Sequence, residues 1–206
     1  MKLLKIALLL TLTLLLNSCA SSYKIIDPTH LNYNSKNENQ GVTLEYKYNL
    51  LDKKYEKKEN KNGIRLVAIK IKNNSERDLI FGKDILLTNS YGKQISIYEN
   101  TRTVKMLKQK PASYLLYLLL TPMNLYTSTT NSRGMQETTS STPIGLVVGP
   151  GLAAGNIITA SSSNKRFETE VMKFNILGQT IKKGETSYGL IGIISDNFDY
   201  LKLKIE

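Results

Sequence analysis

Beyond residue 41 the chain consists of short apolar stretches separated by polar turns. Residues 42–50 alternate apolar and polar side chains, which is typical of a half-buried strand. Residues 64–72 are rich in apolar, β-branched side chains, so we expect them near the centre of a sheet. Further strands are predicted over residues 79–81, 84–88, 93–99, 166–176, 187–195 and 200–205. This spacing predicts a mainly β chain folded as an antiparallel β-sandwich.

The pattern at the N-terminus is different. Lys2 and Lys5 precede an uncharged, leucine-rich run over residues 6–16. At about eleven residues, this run has the length of the apolar region of a secretory signal and is too short to span a bilayer. We therefore expect residues 1–18 to be a signal peptide that is removed on export.

The residues at the end of this segment resemble a known processing site. Leu16-Asn17-Ser18-Cys19 is similar to the lipobox of bacterial lipoproteins. The resemblance implies that the Cys19 sulfur receives a diacylglyceryl group and that the freed amine is acylated, which would anchor the mature chain in a membrane. No Asp stands beside Cys19, and no acidic cluster follows it. By the same resemblance, the expected location is the periplasmic face of the outer membrane.

Two strand-rich stretches carry a second resemblance. NGIRLVAIKIKNNS (residues 62–75) and IKKGETSYGLIGIISDNFDYLKLKI (residues 181–205) resemble immunoglobulin-like domains of small, Bacteroidetes-type outer-membrane lipoproteins. The resemblance implies an immunoglobulin-like sandwich over residues 42–206 and assigns no catalytic residue. Residues 19–41 are polar and are predicted to form a flexible, lipidated tether.

Residues 111–164 interrupt the strand pattern. The segments 111–132 and 138–164 contain no charged residue, and the leucine-rich residues 114–120 favour a helix. The second segment holds four glycines in two small-xxx-small pairs, a spacing that lets another backbone approach closely. These glycines are Gly145, Gly149, Gly151 and Gly155. The pattern predicts an apolar, glycine-rich helical hairpin inserted into the sandwich.

Three roles are open for this insertion. It could cover the protein's own sandwich, pack against a partner or a second copy, or enter the membrane beside the lipid anchor. Cationic ends around uncharged arms suit an anionic headgroup surface. The flanking basic residues are Arg102, Lys105, Lys108, Lys110, Lys165 and Arg166.

The composition limits the chemistry. The formal net charge is +11, but the export signal argues against nucleic acid as the partner of this basic surface. Cys19 is the only cysteine and His30 the only histidine. Once Cys19 is acylated, no Cys/His nucleophile pair and no thiolate metal site can form. We therefore predict no catalytic, cofactor-binding or metal-binding residue.

These patterns lead to two functional hypotheses. The first is a non-enzymatic structural or interaction module of the cell envelope, anchored through Cys19, with residues 111–164 as its contact element. The alternative is a binding module for acidic glycans or lipid headgroups that uses the basic surface and the tyrosine side chains.

Overall fold

The computed structural model describes residues 19–195 and 197–206, so the signal predicted over residues 1–18 lies outside the described residues. The chain divides into two compact units. Unit 1 contains residues 19–22 and Lys110–Ser162, and unit 2 contains Tyr23–Gln109 and Ser163–Glu206. The limits of the second part of unit 1 differ by at most two residues from those of the insertion predicted over residues 111–164.

Unit 2 is built on a five-stranded antiparallel sheet. Its strands, in spatial order, are β1 (Ser35–Asn39), β2 (Val42–Lys47), β3 (Ile64–Asn73), β10 (Thr186–Ile194) and β6 (Ile97–Tyr98). Two further strand pairs accompany this sheet. They are β4 (Leu79–Ile80) with β9 (Thr180–Ile181), and β5 (Ile85–Thr88) with β11 (Lys202–Ile205).

Strand β3 is the middle strand of the sheet, and both of its faces are buried. Val67 and Ile69 belong to an apolar cluster that also contains side chains of the pairs β4–β9 and β5–β11. Leu66 and Ala68, which point to the opposite face, belong to a second cluster built with helices. A strand covered on both faces must be apolar along most of its length, which agrees with the central position predicted for residues 64–72.

Helices cover the second face of the sheet. They are α1 (Lys53–Asn62), α2 (Asn100–Leu107) and the part of α3 (Gly145–Lys173) that belongs to unit 2. Helix α1 ends at Gly63, whose left-handed φ of 59° lets its N–H donate to the Glu59 carbonyl. In β10, a Cβ on Gly192 would overlap the Thr103 side chain, so glycine lets α2 lie close to the strand.

The helical content of unit 2 corrects two predictions. A strand was predicted over residues 166–176, and this prediction is wrong because the residues lie in α3 and the turn after it. Phe167, Val171 and Phe174 recur at the i, i+4, i+7 spacing of one helix face and pack in the second cluster. The plain β-sandwich is not confirmed either, because residues between the strands predicted at 42–50 and 64–72 form α1. The fold is therefore a mixed one, with a five-stranded antiparallel sheet and helices.

The predicted tether is folded from Tyr23 onward, so that prediction is also wrong for most of its length. Strand β1 pairs with β2. The Tyr23 ring contacts the rings of Tyr55 and Phe167, with centroids 5.5 and 5.3 Å away. The Tyr23 hydroxyl and the Ile26 N–H both donate to Glu170 Oε2, at 2.5 and 3.0 Å. A few apolar side chains and one carboxylate thus fix a segment whose composition is polar.

Unit 1 differs from the predicted helical hairpin. A 3₁₀ helix (Pro111–Leu120) is followed by a β-hairpin of β7 (Leu125–Thr130) and β8 (Gln136–Thr142), and then by α3, which continues through Pro150. Thr and Ser dominate β7 and β8, and β-branched Thr favours strands. The turn between them is closed by Asn131, whose Oδ1 accepts from the N–H groups of Arg133 and Met135. Both helical arms are present, but strands join them.

The buried carboxyl of Glu59 generates a pH prediction. Glu59 is 3% exposed, and its Oε1 accepts the Leu66 N–H at 2.7 Å, where β3 begins. Burial raises the pKa of this carboxyl to about 7, although the Leu66 hydrogen bond opposes the shift. The folded state therefore holds this proton more tightly than the unfolded chain does. Stability should be greatest below the usual carboxyl pKa and should fall as the pH rises through about 7.

We predict that Glu59→Gln removes this pH dependence, because Gln keeps the accepting oxygen and cannot ionise. Urea unfolding at pH 5 and pH 8 should show wild-type unit 2 losing about 1–3 kcal/mol more than the variant over this range. Equal pH dependence in the two proteins would show that Glu59 does not titrate as described.

Candidate functional site

Cys19 is exposed and belongs to unit 1. The next residue fixes its position, because the Ala20 N–H donates to Asn156 Oδ1 at 2.5 Å. The Asn156 amide is itself held by a bond from its Nδ2 to the Leu152 carbonyl at 2.8 Å. Helix α3 therefore holds the chain directly after Cys19 and leaves the sulfur accessible at the surface of unit 1.

The core of unit 1 is small. Its apolar cluster contains the buried side chains of Tyr114, Tyr117, Ala153 and Ala160, and Ala20 packs against them. The two tyrosine rings are nearly parallel, with centroids 6.4 Å apart. Burial is the main cause that raises the pKa of Tyr114, and a negative charge on the nearby Cys19 sulfur would act in the same direction. The predicted lipid attachment site thus lies beside the 3₁₀ helix that carries both tyrosines.

Apolar side chains are exposed over much of unit 1. Leu116, Leu119 and Val147 are 68%, 74% and 77% exposed. Apolar patches larger than a few hundred Å² are rare on soluble monomers and mark surfaces that contact a partner or a membrane. We refer to the following exposed side chains as the apolar surface of unit 1: Leu115, Leu116, Leu118, Leu119, Met123, Leu125, Tyr126, Met135, Leu146, Val147, Val148, Leu152 and Ile158.

Helix α3 changes character along its length. Residues 144–164 carry no charge on any face, and Val147, Gly151, Gly155 and Ile158 form an exposed face opposite the packed one. Beyond residue 164 the helix is amphipathic, with charged side chains toward solvent and Phe167 buried. The change from an uncharged to an amphipathic helix falls within two residues of the boundary between the units.

The two predicted glycine pairs have different surroundings. A Cβ on Gly145 would overlap the carbonyl oxygens of Leu120 and Thr121, and one on Gly149 would lie 3.0 Å from the Tyr117 carbonyl. This pair therefore lets α3 pack on the 3₁₀ helix within unit 1. A Cβ on Gly151 or Gly155 would meet nothing within 4 Å. The second pair has no packing role among the described residues.

The six predicted basic residues are exposed. Within unit 2, the Gln109 backbone and the Asn164 side chain exchange two hydrogen bonds of 2.9 Å, which join the segments that carry Lys108 and Lys165 with Arg166. The Arg102 guanidinium lies 4.1 Å from the centre of the Tyr98 ring. Lys105 lies three residues further along α2. Lys110 belongs to unit 1. The Gln109–Asn164 bonds thus bring together only the segments that carry Lys108, Lys165 and Arg166.

Within residues 19–195 and 197–206, no helix combines the length and the hydropathy needed to cross a membrane. The same residues contain no cluster of three or more His, Cys, Asp or Glu side chains arranged to hold a metal ion. Comparisons with protein-family models, with curated proteins and with solved structures give no match.

Sequence reasoning located unit 1 but missed two of its features. The role of Asn156 in holding Ala20 has no local signal, because the two residues are 136 positions apart. The exposure of Leu115, Leu116 and Leu119 was also missed. Its signal was present in the lack of charge over residues 111–132, since a helix with a solvent face normally carries charge there.

The glycine surroundings predict opposite effects for two substitutions in α3. Gly145→Ala should destabilise unit 1 by about 1–3 kcal/mol, because the methyl group displaces the end of the 3₁₀ helix. Gly155→Ala should stabilise α3 by about 0.5–1 kcal/mol, because it meets open space and favours helix. Amide hydrogen exchange of α3 would measure both effects, and equal protection in the two variants would contradict the packing described.

Proposed function

We propose that this protein is a bacterial envelope lipoprotein, anchored by acyl chains on Cys19 to the periplasmic face of the outer membrane. In this proposal unit 1 lies against the bilayer and unit 2 is a non-enzymatic structural or interaction module. The observation that carries the proposal is that Cys19 and the apolar surface belong to the same compact unit.

The energetics favour an apolar environment for unit 1. Exposed apolar area costs about 25 cal/mol per Å² relative to burial, and the apolar surface contains thirteen large side chains. A hydrocarbon phase removes this cost without a complementary protein partner. Acyl chains on Cys19 would hold the surface at the bilayer, since each buried methylene contributes about 0.8 kcal/mol.

Of the three roles open for residues 111–164, entry into the membrane accounts for most observations. Cover for the protein's own sandwich does not explain why Leu116 and Leu119 are exposed. A protein partner explains the exposure but not its position beside the lipid attachment site. Entry into one leaflet is also compatible with the absence of a spanning helix in the described ranges.

The basic residues support the same orientation. Lys165 and Arg166 follow directly after the uncharged part of α3, where a helix leaving hydrocarbon would meet phosphate groups. Lysine and arginine suit this position because their apolar stems remain in the hydrocarbon while the charged heads reach the headgroups.

For unit 2 we propose a variant of the immunoglobulin-like sandwich. Its support is the first apolar cluster, in which one face of the five-stranded sheet packs with the strand pairs β4–β9 and β5–β11. The second face is covered by helices, which is a departure from a plain sandwich. Such a domain fits an interaction role in the periplasm.

The alternative function, recognition of acidic glycans or lipid headgroups, is favoured by the exposed cations at Lys108, Lys165 and Arg166. Headgroup binding by these residues is compatible with the anchor, whereas glycan binding would be an additional activity. High salt would weaken a purely ionic association with the membrane and would leave an acyl anchor in place.

The proposal predicts the chemical state of Cys19. Mass spectrometry of the tryptic peptide of residues 19–24 from the natural protein should show a diacylglyceryl group on the sulfur and acylation of the amine. A maleimide should label no residue of the denatured wild-type protein, because Cys19 is the only cysteine.

The matched controls are Ser22→Ala, which keeps the processing site and should be acylated normally, and Cys19→Ser, which should lose the lipid. An unmodified thiol on Cys19, or a mature N-terminus beyond residue 19, would overturn the proposal.

A further inference from the structure

Helix α1 carries a stripe of lysines on its exposed side. Tyr55 and Glu59 are its buried side chains. Lys53, Lys57 and Lys61 are exposed and lie opposite them, because two positions along a helix correspond to a rotation of about 200°. Among the described residues, no carboxylate forms an ion pair with any of these three lysines.

The spacing of these lysines is unfavourable for an isolated helix. Lys57 lies four residues from both Lys53 and Lys61, and like charges at this spacing repel each other. Lys53 also stands at the N-terminus of α1, where the helix dipole disfavours a cation. A helix face that meets only water usually carries charges of both signs at this spacing. An anionic partner above the stripe would attract all three lysines and offset their repulsion.

The two neighbouring helices extend this positive charge. Arg102 and Lys105 of α2 are exposed, as is Lys108 directly after it. Lys165 and Arg166 are exposed on the part of α3 that belongs to unit 2. We refer to these five side chains, together with the three lysines of α1, as the cationic surface of unit 2. Residues 53–62, 100–108 and 163–166, which carry these eight cations, contain one exposed carboxylate, that of Glu56.

Hydrogen bonds fix the three helices against one another within unit 2. Asn62 Nδ2 of α1 donates to the Met106 carbonyl of α2 at 2.7 Å. Asn164 Oδ1 of α3 accepts from the Tyr55 hydroxyl at 3.1 Å and from the Gln109 N–H at 2.9 Å. All three helices cover the same face of the sheet, so their opposite sides face solvent together. The cations are therefore positioned before any partner binds, which reduces the entropic cost of binding.

We infer that the cationic surface of unit 2 docks on the phosphate headgroups of anionic phospholipids. A membrane carries many such groups in one plane, which matches cations spread over three helices, and each cation near it adds to the attraction. A membrane fits better than an acidic polysaccharide because Lys165 and Arg166 directly follow the uncharged part of α3, which the proposed function places in hydrocarbon. The inference thus rests on the proposed membrane location of unit 1, but it does not require acylation of Cys19.

Vesicle co-sedimentation of the full mature chain with Cys19→Ser tests this docking without an acyl chain. Vesicles of phosphatidylcholine alone measure any binding through unit 1, and vesicles with about one-third phosphatidylglycerol add negative surface charge. The ratio of the two affinities isolates the electrostatic contribution. We expect at least about a hundredfold preference for the anionic vesicles, and raising NaCl from about 0.05 to 0.5 M should remove most of it.

The decisive variant is K53Q/K57Q/K61Q, because it removes only the exposed stripe of α1. Glutamine has nearly the helix propensity of lysine, so α1 should remain folded, which circular dichroism would check. The preference for anionic vesicles should fall about 10- to 100-fold, since each lysine near an anionic surface contributes about a fivefold change in affinity.

The matched control is K83Q/K93Q/K182Q, which also removes three exposed lysines. These lysines lie in turns of the strand pairs β4–β9 and β5–β11, which pack in the apolar cluster on the other face of the sheet. This variant should keep nearly the wild-type preference.

Three results would overturn the inference. The first is equal binding of the wild-type chain to neutral and anionic vesicles, and the second is an equal loss of preference in both triple variants. The third is that K53Q/K57Q/K61Q loses binding to soluble polygalacturonate but keeps its vesicle preference, which would assign the surface to acidic glycans. Mass spectrometry reads acylation of Cys19 separately, so failure of the anchor would leave these results unchanged.

Discussion

A helix whose exposed side is apolar favours removal from water, and the account of unit 1 depends on this constraint. Over residues 145–158, α3 carries small or apolar side chains on both its packed and its exposed side, with Asn156 as the one polar residue. The 3₁₀ helix covers one side of it through Gly145 and Gly149, whose lack of side chains permits close backbone contact. The opposite side, with Val147, Gly151, Gly155 and Ile158, has no cover among the described residues. The bilayer proposed for unit 1 would supply it.

Beyond residue 164, where charged residues begin, α3 belongs to unit 2. After Lys165 its solvent side is polar, while Phe167 and Val171 pack in unit 2 with the Tyr23 and Tyr55 rings. Three crossings of the chain between the units fall near Tyr23, Gln109 and Ser163. On the unit 2 side these residues are tied by the bonds of Tyr23 N–H to Ser163 Oγ and of Gln109 to Asn164. These bonds thus hold together the residues of unit 2 at which the chain crosses between the units.

Sequence patterns predicted the parts of the fold in which one periodicity dominates. The apolar run of β3 and the strands β2, β10 and β11 were readable, because burial of one or both faces dictates their composition. The C-terminal half of α3 was misread because Phe167, Thr169 and Val171 also alternate with period two. The tether was misread because Tyr23 and Ile26 are held by Glu170, and such long-range bonds leave no local signal.

The most direct test of the account is the depth of α3 in a membrane. Because acylation consumes Cys19, Ile158→Cys and Lys165→Cys each carry one free thiol, which can be labelled with an environment-sensitive fluorophore and reconstituted into vesicles. The account predicts that quenchers confined to the lipid acyl chains quench the label at residue 158 strongly and the label at residue 165 weakly. If the label at residue 158 were insensitive to these quenchers but accessible to aqueous iodide, unit 1 would not lie in the bilayer.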